Sequence, residues 1–252
     1  MGSTKINLTE EQFTEVTLSA LKEHPEGITE YPILDFDDRA LGLLSAGVAE
    51  TLRYSEIKPR GGLAYRFLKR LFDIVGSALL LILLAIPMGI VALVIYLDDK
   101  GSPIFSQARL TKDGKVFYMH KFRSMCVDAE QKFAEVQKEN ETDGLAFKSE
   151  NDPRITRIGH FIRRTSIDEL PQLWDVFCGH MSIIGPRPPL PREVVLYTPH
   201  QMQRLQVKGR SDMGFEKWVE SDLEYIQTRS AGLDLKLVFK TIGVVIMKKG
   251  AR

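Results

Sequence analysis

Residues 74–97 read IVGSALLLILLAIPMGIVALVIYL, a run of 24 residues without a charged side chain. As one α-helix this run would be about 36 Å long, which is enough to cross the hydrocarbon core of a bilayer. A buried helix of a water-soluble core is normally shorter and amphipathic, so the composition favours a membrane segment over that alternative. Pro87 divides the run into arms of about 13 and 10 residues, and neither arm is long enough to cross alone.

Basic side chains flank this apolar run on both sides. Three precede it and four follow it, namely Arg66, Lys69 and Arg70, then Lys100, Arg109, Lys112 and Lys115. Short segments on the cytoplasmic side of a membrane are enriched in lysine and arginine. Basic residues on both flanks therefore favour a re-entrant helix hairpin over residues 64–101 that returns to the side from which it entered. A single crossing is the alternative.

The balance of charges limits the classes of partner. The 252 residues contain 34 Lys and Arg against 33 Asp and Glu, which gives a formal net charge of +1. This balance argues against binding nucleic acid by bulk electrostatics, so an anionic ligand would need a local cluster of cations. Cys126 and Cys178 match no metal-ligand spacing and are too few for a disulfide framework, which favours a reducing compartment. The polar, acidic N-terminal residues do not resemble a cleavable signal peptide.

The remaining residues predict a helix-dominated α+β fold. A capping box at residues 9–12 predicts a helix to about Lys22, and a second helix is expected over residues 40–52. Alternating apolar and polar residues at 103–125 surround a turn at 112–115 and predict a short β-hairpin. Further helices are predicted over residues 128–140, 155–162, 170–177 and 233–247, the last as either a membrane-interface helix or a core helix.

These elements divide the chain into three expected units. Residues 1–60 would form a helical accessory segment, and residues 64–101 a membrane-embedded re-entrant helix. Residues 102–252 would form a small cytosolic domain that contains the β-hairpin and amphipathic interfacial helices.

Two adjacent acids, Asp168 and Glu169, lie in the segment RRTSIDELPQ at residues 163–172. Ser166 and Glu169 have the spacing of a capping box, and Asp168 would complement the positive end of a helix that begins there. The same geometry suits chemistry, because a helix N-terminus attracts phosphate and paired carboxylates can divide nucleophilic and metal-binding roles. The structural and the functional interpretations are compatible.

An arginine framed by prolines lies in the segment SIIGPRPP at residues 182–189. Prolines restrict the backbone on both sides, so Arg187 can be presented to a phosphate with little loss of entropy. A solvent-exposed turn is the alternative. In the segment KFRSM at residues 121–125, Lys121 is a further candidate cation, and the alternative is an ordinary strand with outward charges.

Several short motifs in a fixed order resemble the bacterial sugar transferase family, the monotopic polyprenyl-phosphate phosphoglycosyl transferases. They are KRLFD at 69–73, QAR at 107–109, KFRSM at 121–125, DELPQL at 168–173, IGPRP at 184–188 and LDLK at 233–236. The resemblance extends from about residue 64 to the C-terminus and leaves residues 1–60 outside it.

The resemblance implies a Mg²⁺-dependent reaction in two steps at the cytosolic face of the bacterial inner membrane. The carboxylate of Asp168 would attack the sugar-proximal phosphate of a UDP-sugar and release UMP, and polyprenyl phosphate would then attack the phosphosugar-aspartyl intermediate. Glu169 would hold the metal. The resemblance also implies that a further set of residues binds substrate phosphates or supports the site: Lys121, Arg163, Arg187, Arg210 and Asp222.

The sequence departs from the family pattern at two places. Ile86 precedes Pro87 where the family places serine before proline, so a backbone hydrogen bond from that serine is lost. Between Lys208 and Gly209 a stretch resembling Pro-Gly-Ile-Thr-Gly-Leu-Trp-Gln-Val-Ser is missing. This gap motivates the alternative of a catalytically silent membrane scaffold for glycan assembly. A simple membrane-binding module would explain neither the acid pair nor Arg187. The sugar, the glycan pathway and the oligomeric state stay open, with a homodimer or other glycan-assembly enzymes as candidate partners.

Overall fold

A computed structural model describes residues 38–55, 57–129, 132, 152–195, 197, 199–206 and 215–246. The predicted helix that begins at residues 9–12 and most of the predicted helix over 128–140 lie outside these residues. The described residues form eight α-helices and two β-strands, which confirms a helix-dominated α+β fold. In chain order they are α1 (Asp38–Arg53), α2 (Leu63–Asp98), β1 (Ile104–Leu110), β2 (Val116–Phe122), α3 (Arg157–Arg164), α4 (Gln172–Cys178), α5 (Pro191–Val194), α6 (Pro199–Met202), α7 (Phe215–Thr228) and α8 (Ala231–Ile246).

The predicted β-hairpin is confirmed. Strands β1 and β2 pair antiparallel with a register that runs from Ile104 opposite Phe122 to Leu110 opposite Val116. The connection contains a 3₁₀ turn in which Asp113 adopts the left-handed conformation at φ 61°. Aspartate tolerates this conformation better than most residues, so the turn that the sequence predicted closes without a β-branched residue at the strained position.

Helix α2 contains the whole apolar run. It has 36 residues, so it is about 54 Å long, and it continues through Pro87. Large aliphatic side chains in its middle are exposed, and Ile82 reaches 77%. Among the described residues it is the one helix long and apolar enough to cross a membrane. The structure has α2 as one continuous helix. It does not test the re-entrant hairpin, which stays a prediction.

Both ends of α2 pack against the same folded unit. Near its start, Arg70 donates a hydrogen bond of 2.7 Å to the carbonyl oxygen of Val176, at the end of α4. Near its end, Ile95 is buried in a cluster with Phe122 of β2 and Ile162 of α3. Positive groups favour helix C-termini, so Arg70 also complements the dipole of α4. The middle of α2 is left largely exposed.

Helix α1 confirms the helix predicted over residues 40–52 and shares a core with the hairpin. Leu41, Leu44 and Val48 are buried along one face of α1. Leu44 and Val48 contribute to a cluster that also contains Leu110, Val194, Val195, Tyr197, Met202 and Leu205. Part of the segment 1–60 therefore packs directly on the residues that follow the membrane helix.

Candidate active site

The acid pair lies on a 3₁₀ turn, Ile167–Glu169, between α3 and α4. Ile167 and Leu170 bracket the two acids, and both pack against the apolar cluster formed by Ile95, Phe122 and Ile162. Burial of apolar side chains on both sides of a short turn fixes its backbone. Asp168 and Glu169 are therefore held over the C-terminal part of the membrane helix.

The capping box predicted for Ser166 and Glu169 is wrong. Ser166 adopts the left-handed conformation at φ 56° and ψ 18°, and its side chain caps no backbone amide. The turn is closed instead by the backbone, because the Glu169 amide donates to the Ser166 carbonyl oxygen at 3.3 Å. An N-cap residue normally has an extended backbone, which a left-handed residue does not provide. Helix α4 begins only at Gln172.

Burial and neighbouring charges determine the ionisation of the acids. Burial raises the pKa of the Asp168 carboxyl, and the charge of Glu169 raises it further, whereas Lys121 and Arg163 lower it. The Nζ atom of Lys121 lies 3.9 Å from Oε1 of Glu169. Two adjacent carboxylates repel each other, so cations around them favour the state in which both are ionised.

Lys121 experiences several charges at once. Burial lowers its pKa to about 8, and the positive charges of Arg187 and Arg109 lower it further, while Glu169 and Asp168 oppose the shift. Arg187 and the acid pair therefore both lie within electrostatic range of Lys121. Clustered cations beside two carboxylates form an arrangement suited to a diphosphate and a metal ion.

The loop that carries Arg187 is held from several sides, so the alternative of a solvent-exposed turn is wrong. Residues 184–190 are buried except for Arg187, which is half-buried. The guanidinium of Arg109 donates to the carbonyl oxygen of Pro188 at 3.2 Å, and that of Arg204 donates to the carbonyl oxygen of Arg187 at 3.3 Å. These contacts fix the backbone of the loop against β1 and against the 3₁₀ turn Gln203–Gln206.

The other predicted residues have different positions. Arg163 is exposed in the last turn of α3, where its charge acts on Asp168. Asp222 of α7 is buried, and its Oδ2 lies 2.6 Å from Nη2 of Arg204. Burial raises the pKa of the Asp222 carboxyl to about 7, and Arg204 opposes this shift. Arg210 lies outside the described residues.

Arg204 is the residue that sequence reasoning missed. No local pattern marks it, because its partners come from distant segments of the chain. A buried arginine is recognisable only when the groups that satisfy it are known.

The donor set fits a magnesium ion that is completed by a substrate. Asp168 and Glu169 are adjacent carboxylates, and the described residues contain no group of three or more His, Cys, Asp or Glu arranged around a metal position. Mg²⁺ is commonly bound through one or two carboxylates together with substrate phosphates and water. The acid pair therefore provides the ligands expected of such a site.

Comparison with known proteins gives a consistent result. The bacterial sugar transferase family matches residues 64–248. The chain is 43% identical over 203 residues to the UDP-galactose-lipid carrier transferase of Erwinia amylovora, and this match covers 74% of the chain and 42% of the relative. It is 38% identical to the undecaprenyl-phosphate galactose phosphotransferase of Salmonella typhimurium, over 74% of the chain and 42% of the relative.

A shorter relative is covered almost completely. The chain is 32% identical to the exopolysaccharide production protein ExoY of Rhizobium meliloti, over 77% of the chain and 91% of that protein. The chain thus spans less than half the length of the first two relatives and nearly all of the third. The predicted resemblance is confirmed, and the chain belongs to the bacterial sugar transferase family.

Proposed function

We propose that this protein transfers a sugar 1-phosphate from a UDP-sugar to polyprenyl phosphate and thereby initiates the assembly of a surface or exported polysaccharide. The observation that carries the proposal is the acid pair Asp168 and Glu169 beside Lys121, which also feels the charge of Arg187, on a turn that packs against the apolar helix α2. The names of the Erwinia amylovora and Salmonella typhimurium relatives refer to a UDP-sugar donor and a lipid phosphate acceptor, which supports these substrate classes.

In the first step, a carboxylate oxygen of Asp168 attacks the phosphorus atom that bears the sugar. The bond from this phosphorus to the bridging oxygen breaks, and UMP leaves with the electron pair. In the second step, an oxygen of polyprenyl phosphate attacks the same phosphorus, and the bond to Asp168 breaks to regenerate the carboxylate. Covalent catalysis separates a water-soluble donor from a membrane-bound acceptor, and neither step requires a net proton transfer.

The surrounding residues bind and orient the phosphates. Lys121 lies beside Glu169, and Arg187 lies within electrostatic range of Lys121. These two cations would hold the donor diphosphate, and Arg163 adds a cation on the side of α3. Glu169 would hold Mg²⁺, which would neutralise charge on phosphoryl oxygens when bound. Fixed charges in a partly buried site act more strongly than they would in water.

The position of α2 supports a re-entrant path with the site on the cytosolic face. Its two ends contact one folded unit, through Arg70 at the start and through Ile95 at the end. A helix that crosses a bilayer completely would place its ends on opposite sides of the membrane. Bending at Pro87 inside the bilayer allows both ends, with their basic flanks, to stay on the cytosolic side.

Labelling of single cysteines would test this topology. In a background in which Cys126 and Cys178 are replaced by serine, one cysteine is introduced at Leu63 and, in a second variant, one at Lys100. With spheroplasts and a membrane-impermeant maleimide, we expect neither position to react until the membrane is permeabilised. Reaction at one position only in intact spheroplasts would establish a full crossing.

The activity test measures UMP release from a panel of UDP-sugars with polyprenyl phosphate and Mg²⁺. We expect release with at least one sugar, loss of release with EDTA, and a covalent adduct of sugar-phosphate mass on the protein. Asp168→Asn should abolish both release and adduct, and Glu169→Gln should raise the Mg²⁺ concentration needed for half-maximal rate. Asp113→Asn, in the exposed turn of the hairpin, is the matched control and should be unaffected.

Two results would contradict the proposal. Unchanged turnover in Asp168→Asn would exclude this residue as the nucleophile. If the protein bound UDP-sugar and Mg²⁺ but never accumulated an adduct or released UMP, the scaffold alternative would replace the enzymatic one. An intact-mass measurement of the purified protein would show whether it has the mass of the 252-residue sequence, with Lys208 joined directly to Gly209.

A further inference from the structure

The loop that carries Arg187 has few backbone N–H groups that could donate hydrogen bonds. Three of its residues are prolines at positions 186, 188 and 189, which carry no backbone N–H. The loop can therefore be anchored mainly through its carbonyl oxygens. Three consecutive carbonyl oxygens accept hydrogen bonds, those of Arg187 from Arg204, of Pro188 from Arg109 and of Pro189 from the Leu110 amide at 3.1 Å.

Two of these contacts come from β1 and fix the loop to the hairpin that also carries Lys121. The third contact, to the carbonyl oxygen of Arg187 itself, comes from Arg204 in the 3₁₀ turn Gln203–Gln206. This contact ties the backbone at Arg187 to a second segment of the chain, in addition to the contacts of β1 with residues 188 and 189. Of the three contacts, the one from Arg204 is therefore the nearest to the Arg187 side chain, which would bind the substrate phosphates.

Arg204 is fully buried, and its guanidinium joins three segments of the chain. One Nη atom donates to the Tyr197 hydroxyl at 3.0 Å, and the other lies 2.6 Å from the Asp222 carboxylate. Burial of a charge costs several kcal/mol unless the charge is paired and hydrogen-bonded, and Asp222 supplies that pairing. A planar guanidinium can donate in several fixed directions, which an apolar side chain of similar volume cannot do.

We propose that Arg204 is a positioning residue: it holds the backbone of Arg187 so that the Arg187 guanidinium stays beside Lys121. Asp222 then acts through Arg204, and its part in the site is to balance the charge of that residue. The role for the reaction rests on the proposed function, but the positioning itself concerns binding of a diphosphate and is measurable without turnover.

A double-mutant cycle between Arg204 and Arg187 tests the proposal. The variants are Arg204→Met, Arg187→Met and the combination of the two, with Arg204→Lys as the conservative variant. We expect Arg204→Met to weaken UDP binding and to lower kcat/KM for the UDP-sugar by about 10- to 100-fold, because displacement of a binding group by about 1 Å has effects of this size. In the Arg187→Met background the same substitution should change either quantity less than twofold.

Two readouts separate a positioning role from a general loss of stability. One is how the effect divides between kcat and KM, and the other is whether Arg204→Lys restores binding. The loss should appear mainly as a higher KM, and Arg204→Lys should restore part of the affinity, since lysine keeps a buried donor and charge. Additive effects of Arg204→Met and Arg187→Met on UDP affinity would overturn the proposal. If wild-type protein bound UDP but released no UMP, the proposed function would fail, while the cycle on UDP affinity would still decide the role of Arg204.

A milder variant guards against loss of folding in Arg204→Met. Tyr197→Phe removes one acceptor from Arg204 and retains both the guanidinium and Asp222. We expect a fewfold loss of UDP affinity that disappears in the Arg187→Met background. An equal loss in both backgrounds would overturn the positioning role.

Discussion

The Nζ atom of Lys69 lies 3.1 Å from Oδ2 of Asp234, and this contact joins the start of α2 to the start of α8 across 165 residues of sequence. Both side chains are only 13% exposed. The hydroxyls of Tyr65 and Tyr225 donate to the same carboxylate, at 2.8 and 2.7 Å. Two sequence motifs, KRLFD and LDLK, therefore meet in one buried polar cluster that anchors α8 to α2.

The first prediction concerns this cluster. Asp234→Ala would leave the Lys69 ammonium and two tyrosine hydroxyls without their acceptor, and removal of one partner of a buried pair typically costs about 3–5 kcal/mol. We expect a clear drop in the denaturant midpoint of the purified protein in detergent, with a smaller drop for Asp234→Asn, which keeps an acceptor oxygen. Glu50→Ala, on the exposed side of α1, is the control. A midpoint for Asp234→Ala equal to that of the control would contradict the anchoring role.

Local patterns in the sequence were sufficient for several elements. The hairpin at 103–125 and the helix at 40–52 each depend on a periodicity within one segment, and the structure contains both. The family motifs predicted that Lys121 binds a substrate phosphate, and the structure places its Nζ atom 3.9 Å from Oε1 of Glu169. These features are predictable because the residues that determine them lie close together in sequence or carry a recognisable motif.

Contacts between distant residues explain what was not predicted. The apolar face expected for residues 170–177 includes Trp174, yet Trp174 is 52% exposed and its neighbour Asp175 is fully buried. Asp175 is buried because it accepts a hydrogen bond from the His120 amide at 2.9 Å and lies 2.8 Å from Nδ1 of the same residue. A periodicity within α4 contains no information about that partner on β2.

The second prediction concerns pH. Burial lowers the pKa of Lys121 to about 8, so its ammonium is charged below this value and loses its charge as the pH rises through it. If Lys121 binds substrate phosphate, kcat/KM for the UDP-sugar should fall above a pH of about 8, because this quantity reports ionisation of the free enzyme. The acid limb should follow Asp168, whose carboxylate must be ionised to attack and whose pKa is raised by burial.

The variant Lys121→Arg tests whether Lys121 is the group that causes the alkaline limb. Lys121→Arg keeps its charge throughout the accessible range, so the alkaline limb should move upward even if the maximal rate falls. Lys112→Arg, in the exposed turn of the hairpin, should leave both limbs in place. An alkaline limb that is the same in Lys121→Arg and in the wild type would assign that limb to another group.

The third prediction concerns the packing of α3 against the residues that follow β2. A Cβ atom at Gly159 would overlap the carbonyl oxygen of Ser124, which is backbone and has little freedom to move. Gly159→Ala should therefore destabilise the protein by about 1–3 kcal/mol or displace α3, which carries Arg163. Chemical denaturation and kcat/KM would measure these effects. Gly232→Ala, whose added Cβ meets no atom within 4 Å, is the matched control and should be neutral or slightly stabilising.

The fourth prediction concerns the left-handed backbone immediately before the acid pair. Ser166 is exposed and has φ 56°, a conformation that costs a non-glycine residue about 1–2 kcal/mol. Glycine adopts it without this cost but gains freedom in the unfolded chain, so Ser166→Gly should stabilise the protein by a net ~0.5–1 kcal/mol. Ser166→Ala should have little effect on the denaturant midpoint, because alanine removes only a hydroxyl that caps no amide.

Activity should respond to Ser166→Gly in the opposite direction. Strain that is held at a functional site fixes the geometry of the groups beside it, and a glycine next to Asp168 allows the turn to sample other conformations. We therefore expect a higher denaturant midpoint together with a fewfold lower kcat, whereas Ser166→Ala should keep the wild-type kcat. A lower midpoint for Ser166→Gly than for Ser166→Ala would contradict the strain, because relief of the left-handed conformation should outweigh the freedom that glycine gains in the unfolded chain.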